Sequence, residues 1–284
     1  MRDDGLPMDE YEASNKLYNE DLRNPLYNNS LAKGLQLLEI FTSDHRGMSL
    51  PEIANAAGIT KSSAQRSVFT LISLGYLAKD PQTQRYVLTA KILSVGCNYL
   101  RKKILLEVAN PHLHRLNKDT GETVNLAESW GSSVIYIARF VSANNLVTYM
   151  NVGAMLPMYC SSSGRAIMST YPDEKIAEIL SISNIISYTE KTILNQNEIF
   201  ENIHESRNNG FAITLEEYFP DDLSLASPIV DVNGIAVGAV NVSVPASKWK
   251  AKDAIATFVP QLKRTAFAIS SSLGSLSPAL HSNT

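Results

Sequence analysis

A run of hydroxyl side chains is the first place where this sequence suggests ligand chemistry. The segment Cys160-Ser161-Ser162-Ser163-Gly164 follows a proline-containing loop and opens a stretch with helical periodicity. Backbone amides at a helix N-terminus have no partner within the helix, and the dipole is positive there, so such a segment favours a carboxylate. The three hydroxyls add donors. Simple N-capping by one serine fits the same residues and remains the alternative.

A second chemical pattern lies between Ser49 and Leu88. Ser49 and Glu52 have the spacing of a capping box at the start of a helix. Gly58 is expected to end that helix in the left-handed conformation. Thr60 is expected to cap a second helix directly after the turn. Two short predicted strands around a proline-containing turn follow, so the segment predicts a winged helix-turn-helix.

The N-terminal end of the second helix carries the side-chain types that read DNA. Arginine can form two hydrogen bonds to guanine and glutamine two to adenine, while serine, lysine and backbone amides bind phosphates. Lys79 and Arg85 from the predicted wing are expected to contact the DNA backbone or minor groove. A helical hairpin that only packs against protein is the alternative. The predicted DNA-binding residues are Thr60, Lys61, Ser62, Ser63, Gln65, Arg66, Lys79 and Arg85.

Charge is distributed as DNA binding requires, although the 284 residues carry a formal net charge of −3. Residues 1–29 have a net charge of −4, residues 30–103 of +6 and residues 104–284 of −5. The positive charge therefore coincides with the predicted helix-turn-helix. The two cysteines, Cys97 and Cys160, form neither a disulfide framework nor a zinc-binding spacing. With no membrane span and no secretory signal in the sequence, we expect a cytoplasmic protein without metal or cofactor.

The elements around these patterns can be placed by periodicity. Ser30 is expected to cap a first helix whose buried side is Leu31, Leu35, Leu38 and Phe41. One helix is predicted from about Thr89 to the residue before Pro111, with the basic run 101–103 near its end. Strands paired as hairpins with helices around them predict an antiparallel sheet and an α+β fold.

Individual elements of the C-terminal part are also predicted. They include a strand at Leu146–Met150, a last helix from about Lys248 to Ser272, and a type I′ hairpin turn at Asn233-Gly234.

The chain resembles the IclR family of bacterial transcription regulators over roughly residues 30–272. The matching motifs are SLAKGLQLLE, GYL and RYxLT in the first part, and TGETVNLA (120–127), LPMYCSSSGRA (156–166), RNNGFA (207–212) and SLASPIVD (224–231) in the second. The resemblance implies a GAF-like effector domain, a DNA-binding homodimer that often assembles as a dimer of dimers, and small organic acids as effectors.

With the resemblance, the chain divides into five segments. These are a flexible leader (1–29), a winged helix-turn-helix domain (30–89), a linker helix (90–110), an effector-binding domain (111–272) and a tail (273–284).

The resemblance also indicates where an effector binds. The family uses the serine-rich loop at its pocket, and motif alignment adds residues on three strands. Asn241 and Ser243 are two apart, so both face one side of a sheet. Better-known members have an acidic residue at the position of Thr214 and a cysteine at that of Ser224, so the effector is expected to differ from theirs. The predicted effector-binding residues are Ser161, Ser162, Ser163, Gly164, Thr214, Ser224, Asn241 and Ser243.

Three functions compete with an effector-controlled regulator of transcription. Cys160 beside the serines suggests a nucleophilic enzyme, but no histidine with a suitable local spacing supplies a base. A purely architectural DNA binder does not account for the large acidic C-terminal part. A sensor that has lost DNA binding does not account for the basic residues of the second helix. The prediction is a regulator, not an enzyme, that binds double-stranded operator DNA and a small, acidic effector.

Overall fold

The described part of the chain forms two compact units, with the boundary between Lys102 and Lys103. The computed structural model describes residues 24–41, 47–142 and 150–280. The N-terminal unit covers the described residues up to 102, and the C-terminal unit covers those from 103 onwards.

The N-terminal unit is a winged helix-turn-helix, as predicted. Its elements are α1 (Asn29–Glu39), α2 (Leu50–Ala56), α3 (Lys61–Ser73), β1 (Leu77–Lys79), β2 (Tyr86–Leu88) and α4 (Ile92–Arg101). The capping box at Ser49 and Glu52 is present, with the Ser49 amide donating to Glu52 Oε2 at 2.7 Å. Gly58 turns the chain between α2 and α3 with φ of +59°. Strands β1 and β2 pair antiparallel and form the wing.

Helix α1 differs from its prediction in its cap and in its buried side. Asn28, and not Ser30, caps the helix, because its side chain accepts hydrogen bonds from the amides of Ser30 and Leu31. Leu37 is fully buried, whereas 61% of Leu31 and 52% of Leu35 remain exposed. The predicted stripe was therefore wrong in part, because periodicity identifies an apolar face without showing what covers it.

The single linker helix predicted over residues 90–110 is two helices. Helix α4 ends at Arg101, and α5 (Ile104–Thr120) begins after Lys103, whose backbone is extended. Pro111 lies inside α5 and does not end it. Proline removes one helical hydrogen bond, but burial of one side of α5 offsets that cost. The buried side consists of Leu105, Ala109, Leu113 and Leu116.

The C-terminal unit is an antiparallel sheet with helices around it, which confirms the α+β prediction. The strands are β3 (Thr123–Trp130), β4 (Ser133–Phe140), β5 (Met155–Pro157), β6 (Ala212–Leu215), β7 (Asp222–Val230) and β8 (Ala236–Pro245). Their order in the sheet is β5-β4-β3-β8-β7-β6, and every neighbouring pair is antiparallel. The helices after α5 are α6 (Ser162–Met168), α7 (Asp173–Ile182), α8 (Gln196–Asn209) and α9 (Ala251–Leu280).

Two predictions for this unit need correction or lie partly outside the described residues. Of the strand predicted at Leu146–Met150, residues 146–149 lie outside the described residues, and Met150 is not in a strand. The predicted tail from residue 273 is helical as far as Leu280, since α9 runs past Ser272. Serine hydroxyls end helices when they bond elsewhere, but Ser272 and Ser275 donate to carbonyls four residues earlier in the same helix.

The hairpin between β7 and β8 is confirmed, but its turn is not type I′. That type needs positive φ at both central residues, and of the turn's residues Gly234 alone has one, at +80°. The carboxylate of Asp231 accepts from the amides of Asn233 and Ile235. The pairing register of β7 with β8 shifts between Ile229 and Val230, so β8 has one extra residue in a bulge there.

Candidate effector cavity and DNA-binding surface

Two rows of polar side chains cross one face of the sheet. In the first row, directly opposite residues on β6, β7, β8 and β3 are Thr214, Ser224, Ser243 and Thr123. In the second row, opposite residues on β8, β3 and β4 are Asn241, Asn125 and Arg139. Residues opposite one another, or two apart on a strand, share a face. All seven side chains therefore lie on the same side of the sheet.

This face opens into a cavity of about 120 Å³. Of the predicted effector-binding residues, Ser224, Asn241 and Ser243 line it. Thr214 is buried at the end of the first row and does not line it. The other lining residues are Thr123, Asn125, Tyr136, Arg139, Met150, Leu156, Phe219, Pro220, Asp221, Asp222, Val244 and Pro245.

The serine run lies behind the cavity wall and is not part of its lining. Ser161 caps α6, accepting from the Gly164 amide at 3.2 Å, as in the N-capping alternative. Ser162 Oγ lies 2.8 Å from Ser224 Oγ and so supports a lining residue. Ser163 is fully buried. Gly164 leaves no room for a side chain, because a Cβ there would lie 2.3 Å from Cα of Met158. Direct effector binding by these residues stays a prediction.

Two buried amide groups in the cavity have unused hydrogen-bonding atoms. Asn125 accepts from Arg139 Nη1 at 3.1 Å, and Asn241 donates to Ser224 Oγ at 2.8 Å. Within the described part of the chain, Asn125 Nδ2 and Asn241 Oδ1 make no hydrogen bond. Both residues are at most 1% exposed. Leaving a buried polar atom without a partner costs about 1–3 kcal/mol, so these atoms indicate a site for a polar ligand.

Asp222 sets the acid–base character of the cavity. Burial raises its pKa from an ordinary value near 3.8 to about 6, although a hydrogen bond from Ser243 and the charge of Arg139 both favour the carboxylate. The side chain is therefore partly protonated under mildly acidic conditions. The cavity lining therefore combines the Arg139 guanidinium with two carboxyl groups, of which Asp222 has the raised pKa.

Asp222→Asn should flatten the pH dependence of stability. Between about pH 4 and pH 6 the folded protein binds more protons at Asp222 than the unfolded chain, so its free energy of unfolding falls as pH rises. An asparagine side chain does not titrate, so the variant does not lose this stability as pH rises. Urea unfolding at several pH values, followed by tryptophan fluorescence, measures the effect.

Asp231→Asn is the control of opposite sign for that experiment. Hydrogen bonds, chiefly from the Ile235 amide, lower the pKa of Asp231. Its contribution to stability is therefore present at neutral pH and lost as pH falls. Identical pH profiles for Asp222→Asn and the parent protein would contradict the role given to Asp222.

Sequence reasoning missed Tyr136 and Arg139 as cavity residues. They are three apart on β4, and simple alternation would place them on opposite faces. A bulge opposite Leu126 and Ala127 inserts Ile137 as an extra residue and brings both side chains to the same face. A single sequence gives no signal for a bulge at this position.

A buried ion pair holds the segment before β7, which was also not foreseen. Arg165 donates from Nη1 and Nη2 to the two oxygens of Glu217 at 2.7 and 2.6 Å, and from Nε to the Tyr159 carbonyl at 2.9 Å. The two charged side chains are 2% and 5% exposed. Because Phe219 and Asp222 follow directly in the chain, this pair fixes one wall of the cavity.

The aromatic residues of this segment have different positions. Tyr218 is buried, with its ring centroid 4.4 Å from that of Tyr188 and 4.6 Å from that of Phe219. Phe219 lines the cavity. Phe219 can therefore contact a ligand in the cavity, whereas Tyr218 packs in the core.

The exposed face of α3 carries the side chains predicted to read DNA. Ala64, Val68 and Leu71 are buried, so the opposite side of the helix faces outward. Thr60 caps the helix by accepting from the Ser63 amide at 3.3 Å. The exposed polar residues on the first two turns are Lys61, Ser62, Gln65 and Arg66.

The two predicted wing residues are both engaged within the N-terminal unit. Arg85 donates to the Gly47 carbonyl at 2.8 Å and pairs with Glu52 at 2.5 Å. It thereby ties β2 to the start of α2. The ammonium of Lys79 lies 5.7 Å from the centre of the Tyr86 ring. Lys79 is exposed and available to a phosphate, whereas Arg85 uses Nε and Nη2 for its partners within the unit.

The enzyme alternative gains nothing from the surroundings of Cys160. Its thiol is buried, 3.9 Å from the Pro157 carbonyl oxygen. His112 and His114 lie on α5 and His204 on α8. Within residues 24–41, 47–142 and 150–280, no cluster of histidine, cysteine and acidic residues could hold a metal ion.

Both units match models of known protein families. The model described as the IclR helix-turn-helix domain matches residues 30–81. The model described as the bacterial transcriptional regulator IclR C-terminal domain matches residues 97–271, more than half of the chain. The chain belongs to the IclR family.

Relatives of this IclR-family protein are regulators of transcription. It is 31% identical over 258 residues to the DNA-binding transcriptional repressor YiaJ of Escherichia coli, a match that covers 90% of this chain and 91% of the relative. It is 32% identical to a putative transcriptional regulator from Rhodococcus sp. RHA1, with a TM-score of 0.74 over 88% of this chain and all of that one.

One structural neighbour of the IclR-family protein was solved with an acid. This IclR homologue from Microbacterium hydrocarbonoxydans, in complex with 4-hydroxybenzoate, has a TM-score of 0.70 and covers 87% of this chain and all of its own. At 21% sequence identity it shows the shared fold. In the described part of this chain, none of the helices combines the length and apolar character needed to cross a membrane.

Proposed function

We propose that this IclR-family protein is a homodimeric regulator whose affinity for operator DNA changes when a small acid occupies the sheet cavity. The observation that carries the proposal is the pair of buried, unsatisfied amide atoms of Asn125 and Asn241 beside the Arg139 guanidinium. A folded protein retains such a costly arrangement when a ligand completes it. The cavity lies in the unit that the IclR C-terminal family model matches.

The DNA-binding half of the proposal rests on the exposed end of α3. Lys61, Gln65 and Arg66 project from one side of a helix whose other side is buried. In a helix-turn-helix this end of the second helix contacts base edges. We expect the protein to act on operator DNA in the cytoplasm.

A second copy of the chain is the expected partner of the N-terminal unit. Leu31, Leu35 and Val95 are each more than half exposed. Together with Leu38, they line an open groove beside α3. Burying such side chains against a two-fold related copy gains roughly 25 cal/mol per Å² of apolar surface. A dimer of this kind reads half-sites about 34–36 Å apart, or multiples of that distance. Further pairing of dimers into a tetramer also belongs to the proposal.

The small acid is supported by the Arg139 guanidinium in a cavity lining that also includes Asp221 and Asp222. Arg139 offers a planar, permanently charged donor that matches a carboxylate. The structural neighbour from Microbacterium hydrocarbonoxydans holds an acid, 4-hydroxybenzoate. We therefore expect the carboxylate of the acid to bind at Arg139, with Ser224, Asn241 and Ser243 as neutral partners of the rest of the ligand.

The test measures DNA and acid binding to the same preparation of the full chain. Duplexes enriched from a random pool supply the binding site, and fluorescence anisotropy gives the DNA affinity with and without each acid of a panel. A true effector changes that affinity by some factor, and saturating DNA must change the acid affinity by the same factor. Specific DNA binding that no acid of the panel alters would overturn effector control.

A further inference from the structure

The unsatisfied atoms of Asn125 and Asn241 are complementary, and both residues line the cavity. The two residues are directly opposite each other on β3 and β8. Asn125 Nδ2 is a donor and Asn241 Oδ1 is an acceptor, and neither has a partner in the described residues. A hydroxyl group both donates and accepts. One ligand hydroxyl between the two amides therefore satisfies both atoms.

Arg139 lies next along the same row. It is directly opposite Asn125, one strand further on, and its Nη1 donates to Oδ1 of the Asn125 side chain. Neighbouring strands are about 4.8 Å apart. A ligand that reaches both places needs a carboxylate and a hydroxyl within about that distance. This fits a hydroxyl on the carbon next to the carboxylate or on the following carbon.

The size of the cavity restricts the ligand further. A protein cavity of roughly 150 Å³ accommodates benzene, and this one has about 120 Å³. An aromatic acid adds a carboxylate to the ring and exceeds that space. An aliphatic acid with a few carbons does not.

We infer that the effector is a small aliphatic hydroxy acid, with its carboxylate at Arg139 and its hydroxyl between Asn125 and Asn241. The inference rests on the proposed function, because it assumes that this cavity is the effector site. The two asparagines are then specificity-determining residues. They distinguish a hydroxy acid from the acid that lacks the hydroxyl.

Other small acids leave part of the row unsatisfied. A plain acid with its carboxylate at Arg139 has no hydroxyl to place between the two amide atoms. An amino acid brings an ammonium group, which has three donors and no acceptor, so Asn125 Nδ2 stays without a partner. A site built to bond a hydroxyl rejects analogues without one by large factors, because its own buried groups are left unpaired.

Isothermal titration calorimetry of the full chain compares four probes: lactate, propanoate, alanine and 4-hydroxybenzoate. We expect lactate to bind about tenfold more tightly than propanoate, or better, and more tightly than alanine and 4-hydroxybenzoate. Equal affinity for lactate and propanoate, or tighter binding of alanine or 4-hydroxybenzoate, overturns the inference. So does a failure of every 2- and 3-hydroxy acid with three to five carbons to bind at about 10 mM.

Variants then assign the preference to the asparagines. Asn241→Ala should remove the preference for lactate over propanoate, because the ligand hydroxyl loses the oxygen to which it donates. Asn197→Ala, at an exposed position on α8, is the matched control and should keep the preference. Thermal melting checks that each variant is folded. If Asn241→Ala does not fold, Asn125→Ser takes its place in the experiment. A preference that survives in the folded cavity variant contradicts the assignment.

DNA binding separates failure of this inference from failure of the proposed function. If another probe changes DNA affinity and lactate does not, effector control stands and the hydroxy acid is wrong. If lactate binds with the expected preference but DNA affinity stays constant, the hydroxy acid stands and effector control is wrong.

Discussion

Replacing Glu217 by alanine should lower the free energy of unfolding of the C-terminal unit by about 3–5 kcal/mol. The substitution leaves the Arg165 guanidinium buried, 2% exposed, without its charged partner. Taking a lone charge out of water is costly, and the remaining hydrogen bond to the Tyr159 carbonyl satisfies one of five donors. The loss should therefore exceed that of an ordinary surface substitution several times over.

Urea unfolding measures this loss. Both tryptophans, Trp130 and Trp249, lie in the C-terminal unit, so their fluorescence follows the unit of interest. Glu201→Ala, an exposed position on α8, is the control and should change stability by no more than about 0.5 kcal/mol.

A double variant distinguishes a lone buried charge from simple loss of volume. Arg165→Met with Glu217→Leu should recover much of the lost stability, because apolar side chains of similar size often replace a buried ion pair without cost. A loss below about 1 kcal/mol in Glu217→Ala would show that water reaches the guanidinium.

Arg66→Ala should weaken specific operator binding by about 1–3 kcal/mol, a factor of roughly 5–150. Arg66 is exposed on α3, whose buried residues hold the helix in place from the other side. If its guanidinium makes two hydrogen bonds to a guanine, losing them also relaxes the base preference at one position of the site.

The same variant tells a base contact from a phosphate contact. Anisotropy measurements over a range of salt concentrations, on the enriched site and on single-base variants of it, give both the affinity and the salt dependence. A phosphate contact would weaken all sequences alike and reduce the salt slope by about one. Arg264→Ala, exposed on α9, is the charge-matched control in the C-terminal unit. Unchanged affinity in Arg66→Ala would remove this residue from the DNA-binding surface.

The winged helix-turn-helix was predictable because its signals are local. A capping box, a glycine with positive φ and a threonine cap lie within a few residues of the helices that they delimit. Such short-range hydrogen bonds depend little on the rest of the protein. The exposed leucines of α1 were misassigned, since burial depends on what packs against a helix.

The cavity was only partly predictable, because distant strands build it. The spacing of Asn241 and Ser243 placed both on one face, and Ser224 joins them through strand pairing. Tyr136 and Arg139 depend on a bulge, which has no local signature here. The serine run was predicted as a binding loop because its hydroxyls are concentrated in sequence. In the structure these hydroxyls lie at a helix cap, beside a neighbouring strand and in the core, and their direct contact with an effector stays a prediction.

In this sheet, different groups hold the strands together and line the cavity. The sheet is held by main-chain hydrogen bonds that no side chain supplies. Each row places one side chain per strand, so a single substitution changes one recognition group and leaves the strand ladder intact. Proteins that share this sheet can therefore acquire new ligands through point mutations that leave the fold intact.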